Sequence, residues 1–247
     1  MQALFNRFLC GLLGGGLVTT SVLVSPAAAL TEEEILEKMA SVPVFVVADR
    51  SGGYVTSVAD FPGDGVGNIA LLRVFFEEAD ARTFVEQARA RNPRFNQGGS
   101  VGLIDLATVH RIASEERDVP IRLLFVPQTE DLAAAREIDN SFGGRGAASI
   151  VPLFKIQDGA GNPIALPFGD EASERPFGMF FSKDDADGTL QSIVANQPDL
   201  TSQLSIGVIS LSNLRLELLN NDDDESRRVE FLPDSEVINY IQEQDFE

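Results

Sequence analysis

His110 is the only histidine of the chain. A lone imidazole works as a general base when a nucleophile lies within hydrogen-bond reach and a carboxylate orients the ring. Its surroundings, ATVHRIASEE after the strand-like VGLIDL, flag no nucleophile, and Asp105 and Asp80 are the carboxylates an acid–base reading would recruit. A polar position on a short helix is the simpler reading, an enzyme using His110 the alternative, and no catalytic residue is expected. Gly63, Gly65 and Gly67 imitate a phosphate loop. Such a loop follows a strand and opens a helix, whereas this one carries Asp64 and leads into the β-rich ALLRVFF, so it reads as a connector. The acidic run Asp222 to Glu225 lacks the spaced ligands and turn glycine of a calcium loop and reads as a solvated hairpin or loop. Neither a metal nor a cofactor is expected.

Phenylalanine is what the chain offers in quantity: 17 Phe against 2 Tyr and no Trp. A phenyl ring gives contact area without demanding a hydrogen-bond partner, which suits recognition of varied apolar segments. Side chains alternate across a strand, so Phe75 and Phe76 point to opposite faces, as do Phe180 and Phe181. If helices cover one face of each sheet, the other faces form apolar grooves able to hold a client polypeptide. The candidate groove residues are Phe76, Phe84, Phe125, Phe154, Phe168, Phe177, Met179 and Phe181. Plain core packing is the competing reading for each of them.

The elements that position these residues come in two copies. LTEEEILEKMAS is an amphipathic helix with Thr31 as N-cap and acids in its first turn. VPVFVVADRSGGYVTSV then reads as a hairpin, ALLRVFF as a strand and EEADARTFVEQARARN as a helix ended by Pro93; VGLIDL, ATVHRIASEE, IRLLFVP and TEDLAAAREIDN complete the series. About 105 positions on, the same clauses return: VPLFKIQDGAGNPIALPF, GMFFSKDDADGTLQSIVANQ, SIGVISLSNLRLEL and VEFLPDSEVINYIQ. The fold class is therefore mixed α/β (α+β), two pseudo-twofold-related βββαβαβα repeats after one N-terminal helix, each half a sheet covered by helices. Residues 30–142 hold the helix and first repeat, the Gly-rich 143–149 a connector and 150–247 the second repeat, in one compact domain.

Residues 1–29 read as a signal peptide. Arg7 precedes an apolar run from Phe8 to Val24, and Ala27-Ala28-Ala29 is the small-residue pattern cut by signal peptidase, which places cleavage after Ala29. The product would be exported, to the periplasm, with the thylakoid lumen as an alternative. Cys10, the only cysteine, leaves with the leader, so thiol chemistry is not expected of the mature chain. A net charge of −19 repels phosphate backbones and anionic lipid. No nucleic acid and no direct lipid binding are expected.

LTEEEILEKMASVPVFVV, RVFFEEADARTFVEQARARNP, VGLIDLATVHRI and LLFVPQ, with the looser second VPLF and GMFFSKDDA copies, together resemble the twenty-two-kilodalton component family of the chloroplast inner-envelope translocon. With a bacterial-type signal the chain resembles a cyanobacterial member. The resemblance implies a periplasmic, chaperone-like protein transport factor for unfolded outer-membrane or translocating precursors, working beside an Omp85-type assembly pore. The alternative it leaves open is an adaptor that docks on that pore without binding clients. The acidic insertion at 221–225 and the Gly-rich loop at 61–68 depart from the family pattern.

Overall fold

The computed structural model describes residues 29–60, 68–91, 99–140, 142, 150–168 and 174–244. Residues 1–28 of the leader, the three glycines Gly63, Gly65 and Gly67, and the 143–149 connector lie outside the described residues. Helix α1 (Glu32–Met39) starts as its sequence dictates. Thr31 Oγ1 accepts from the Glu34 amide while the Glu34 carboxylate accepts from the Thr31 amide at 2.8 Å, a complete capping box.

The first half continues as β1 (Pro43–Ala48), β2 (Thr56–Asp60), β3 (Asn68–Phe75), α2 (Glu78–Arg91), β4 (Ser100–Asp105), α3 (Leu106–Ser114), β5 (Ile121–Val126) and α4 (Thr129–Ile138). The second runs β6 (Pro152–Asp158), β7 (Phe177–Phe180), α5 (Lys183–Asn196), β8 (Leu204–Ser210), α6 (Leu211–Asn220), α7 (Asp224–Arg227), β9 (Val229–Leu232) and α8 (Ser235–Gln244). One sheet has the order β2-β3-β1-β4 with β5 parallel to β3; the other is β8-β6-β7-β9. Pairings match across the halves: Phe45 opposite Phe75 and Phe154 opposite Phe180, Pro43 opposite Asp105 and Pro152 opposite Ser210, Phe75 beside Val126 and Phe180 beside Leu232. The turns match too. Asp49 Oδ1 accepts from the amides of Ser51 and Gly53, and Asp158 Oδ1 from those of Ala160 and Asn162. Gly52 (φ +82°) and Gly161 (φ +88°) supply the left-handed residue of each turn.

Two expectations about elements are corrected. The second half was expected to open with three strands, yet among the described residues β2 has no full counterpart. Residues 163–166 make one bridge, Gln157 to Pro163, and isolated bonds from Ile164 N to Ile156 O and Leu166 N to Pro176 O. Pro163 and Pro167 have no amide hydrogen to give, so no ladder propagates. The acidic run is a loop only at Asp222 and Asp223, and Asp224 and Glu225 open α7. Asp223 caps α7, its Oδ1 accepting from Ser226 N at 2.7 Å, and acids at a helix start are favoured by the helix dipole.

Alternation sorts each strand's residues between two layers. Val44, Val46, Leu72, Val74 and Phe76 of the first sheet join Leu153, Phe177, Met179, Phe181 and Phe231 of the second in one central cluster with α1, α3 and α6. Phe76 stacks on Phe181, ring centroids 5.4 Å apart and planes 19° apart. The outer faces carry separate clusters, and their covers are crossed over. Helix α8, from the second half, lays Val237, Tyr240 and Ile241 on Phe45, Val47 and Phe75 of the first sheet beside α2. Helix α4, from the first half, packs on β6 and β8 beside α5. The Gln128 amide before α4 donates to Asp234 before α8 at 2.7 Å, where the two crossings meet.

Candidate functional site

The grooves expected on the free sheet faces are filled. Phe76, Phe154, Phe177, Met179 and Phe181 are buried, Phe154 completely. Phe125 is half-buried against Phe76 and His110, with centroid distances of 6.1 and 5.8 Å. Phe84 is half-buried on Phe75 at 5.6 Å, with the Arg73 guanidinium 4.8 Å from its ring. The physical reason is that both faces of each sheet have partners: the inner faces pack into one cluster, and the outer faces receive an exchanged helix as well as their own. Of the eight candidates only Phe168 stands out into solvent, with 51% of its surface exposed.

Phe168 borders a groove of about 330 Å³ along α5, formed with Pro167, Asp184, Asp185, Gly188, Thr189 and Ile193. Its origin is a local difference between the halves. In α2 the pair Thr83-Phe84 places a phenyl ring on the sheet, whereas the matching pair in α5 is Gly188-Thr189, which leaves that space open. A Cβ added at Gly188 would meet no atom within 4 Å. A second hollow, about 220 Å³, lies under α8 between Phe45, Val237 and Tyr240, rimmed by Glu77, Glu78 and Glu236. A third, about 190 Å³, has Phe177 and Met179 in its wall with Glu217, Asp223 and Glu225 around it. Each joins an apolar wall to a carboxylate rim. At the second, burial and the neighbouring charge of Asp80, Glu130, Asp234 and Glu236 raise the Glu77 carboxyl above its ordinary range.

A family model described as the Tic22-like family matches residues 15–243. The chain belongs to that family. Protein TIC 22, chloroplastic, of Pisum sativum is 26% identical over 183 residues, which is 73% of this chain and 65% of that protein, so the chain spans less than two thirds of that relative. Among solved structures, Anabaena Tic22, a protein of protein transport, aligns with a TM-score of 0.71 at 19% identity over 87% of this chain and 97% of its own. Tic22 from Plasmodium falciparum aligns at 0.63 and 14% over 86% and 98%. The mixed α/β fold expected from the sequence is thus the fold of the Tic22 structures.

Two of the ionisable groups of this Tic22-like chain accept hydrogen bonds at helix starts, and a third is buried beside aromatic and basic neighbours. Asp105 accepts from Thr108 N and Thr108 Oγ1, both at 2.7 Å, as the N-cap of α3. His110 sits between Phe125 and Arg215; burial first, then the Arg215 charge, lowers its pKa to about 4, and Nε2 has no partner among the described residues. Asp131, at the start of α4, accepts from Lys183 N at the start of α5. Burial raises its carboxyl to about 6, with Asp234, Asp184 and Glu130 adding to the effect.

These two groups act on stability with opposite signs. His110 has a folded pKa below its ordinary 6.5, so the unfolded chain binds the extra proton and stability falls as pH drops from about 6.5 to about 4. Asp131 has a folded pKa above its ordinary 3.8, so the folded chain binds the extra proton and stability rises as pH drops from about 6 to about 4. His110→Gln should therefore make the urea midpoint at pH 4.5 rise relative to that at pH 7. Asp131→Asn should do the reverse, raising the midpoint at pH 7 while its amide oxygen keeps the Lys183 bond. Equal midpoint differences in all three proteins would refute both assignments.

The sequence pointed to Phe168 but missed Gly188, Thr189 and Tyr240. The signal available for the first two was the mismatch between Thr83-Phe84 and Gly188-Thr189 in otherwise aligned helices.

Proposed function

We propose that this chain is an exported protein transport factor that holds unfolded precursor segments, outer-membrane or translocating proteins among them, on its acid-rimmed apolar grooves. The observation that carries the reading is the exposed phenyl ring of Phe168 beside an open groove on α5. An apolar wall supplies contact area for side chains of many shapes, and a phenyl ring asks nothing of them by way of hydrogen bonds. The net charge of −19 keeps a loaded protein soluble and repels anionic lipid. Membership of the Tic22-like family and the protein-transport role of Anabaena Tic22 support the same assignment. Export rests on the leader, and the place of action on this reading is the periplasm, beside an Omp85-type assembly pore. No helix among the described residues is long and apolar enough to cross a membrane.

The test is suppression of aggregation when an outer-membrane β-barrel protein is diluted from urea into the purified chain. Thr189→Phe fills the groove as Phe84 fills its counterpart, and Phe168→Ser removes the exposed ring. Both should cut suppression several-fold at unchanged circular dichroism. Suppression unaffected by either would move client binding away from α5. No suppression by the unaltered chain would favour the adaptor that binds one folded partner.

A further inference from the structure

Leu30 is 5% exposed and belongs to the central cluster with Ile35, Met39 and Leu218. It stands immediately before the N-cap Thr31, and Ile35 is the fourth helical residue, so the two apolar side chains form a hydrophobic staple around the capping box. The Leu30 amide donates to Leu218 O at 3.3 Å. Leu218 lies in the last turn of α6, where carbonyls have no amide further along the helix to bond and the helix dipole is negative. Ala27-Ala28-Ala29, the small-residue cleavage pattern, ends at the preceding residue. The small-residue pattern a signal peptidase reads thus ends at the residue before a buried, hydrogen-bonded leucine.

We propose that cleavage of the Ala29–Leu30 bond creates a docked amino terminus: the new Leu30 ammonium sits on the carbonyl end of α6 while its side chain fills the central core. This rests on the export reading of the leader. A signal-peptide endopeptidase adds water across the bond; Ala29 leaves with the carboxylate, and the Leu30 amine takes up a proton. One amide donor becomes three charged donors, and a cation is favoured at a helix C-terminus. The partially positive start of α1 opposes that preference, and the acidic residues on the neighbouring elements support it. Glu32 pairs with Arg215, Glu33 with Arg111 and Glu34 with Arg227, His110 on α3 is neutral at pH 7, and Glu217, Asp222 and Asp223 on and just after α6 leave the balance acidic.

Two measurements test this. N-terminal sequencing of the protein exported from the full-length chain should read Leu30-Thr31-Glu32; another first residue overturns the cleavage site. Urea unfolding should then compare a chain that starts at Leu30 with the same chain acetylated at its α-amine, which keeps the hydrogen bond and loses the charge. The free amine should lower the unfolding equilibrium constant about two- to five-fold at pH 6.5, with the difference fading by about pH 10 as the amine deprotonates. Equal stability at pH 6.5 overturns the docking. Neither result depends on client binding, so a failure here and a failure of the aggregation assay are separate outcomes.

Discussion

Replacing Phe76 by Ala should cost about 3–5 kcal/mol of unfolding free energy, and replacing Phe181 by Ala about as much, since each deletes a buried aromatic side chain and leaves a cavity. The rings stack at 5.4 Å, Phe76 also meets Phe125 at 6.1 Å, and Phe181 meets Phe231 at 6.2 Å. The double replacement should cost less than the sum of the two by about 1 kcal/mol, because the stacking contact is lost once, not twice. Urea unfolding of the four proteins reads all three quantities. Had these rings lined an open groove, each change would stay within about 0.5 kcal/mol, the usual range for surface substitutions. A result that small would contradict the central cluster.

Ending the chain after Pro233 should be comparably severe. The truncation removes α8, and with it buried Val237, the Tyr240 ring at 6.2 Å from Phe45, and half-buried Ile241. It also removes the Tyr240 hydroxyl bonded to Glu78 and Arg82 of α2, and the Asp234 carboxylate that accepts from Gln128. At about 1.5–3 kcal/mol for a fully buried aliphatic or aromatic side chain and less for the half-buried ones, the loss is roughly 4–6 kcal/mol. That is much of the 5–15 kcal/mol that ordinarily holds a domain folded. The truncated chain should show a lost or strongly lowered thermal transition and bind a hydrophobic dye through the bared Phe45, Phe75 and Val126. A cooperative melt at the midpoint of the full chain would show that α8 contributes little.

Local patterns were readable where the residues that decide them lie close together. Thr31 and Glu34 announce α1, the Phe-Phe pairs announce β3 and β7, and the Asp-to-Gly or Asp-to-Asn turns announce the start of each half. What escaped was which helix covers which sheet. TEDLAAAREI and SEVINYIQEQ are each amphipathic in their own right, and an apolar stripe does not state which apolar face it meets. Nor does either half state that its inner sheet face will pack on the other's, and it is that packing which makes Phe76 and Phe181 core rather than groove. The α5 groove was hidden for the opposite reason: it arises from side chains that are small, at Gly188 and Thr189, and a missing ring leaves no pattern to read.

The crossing of α4 and α8 also sets an order of events. During synthesis the first sheet emerges with α2 on its outer face, but the other part of that cover is the last helix of the chain. A half-made molecule therefore has no complete core to close upon, and the contacts that finish the first half span nearly two hundred residues, from Phe45 to Tyr240. Folding becomes an event of the whole chain. A polypeptide wired in this way cannot finish its first half until its last helix has been made.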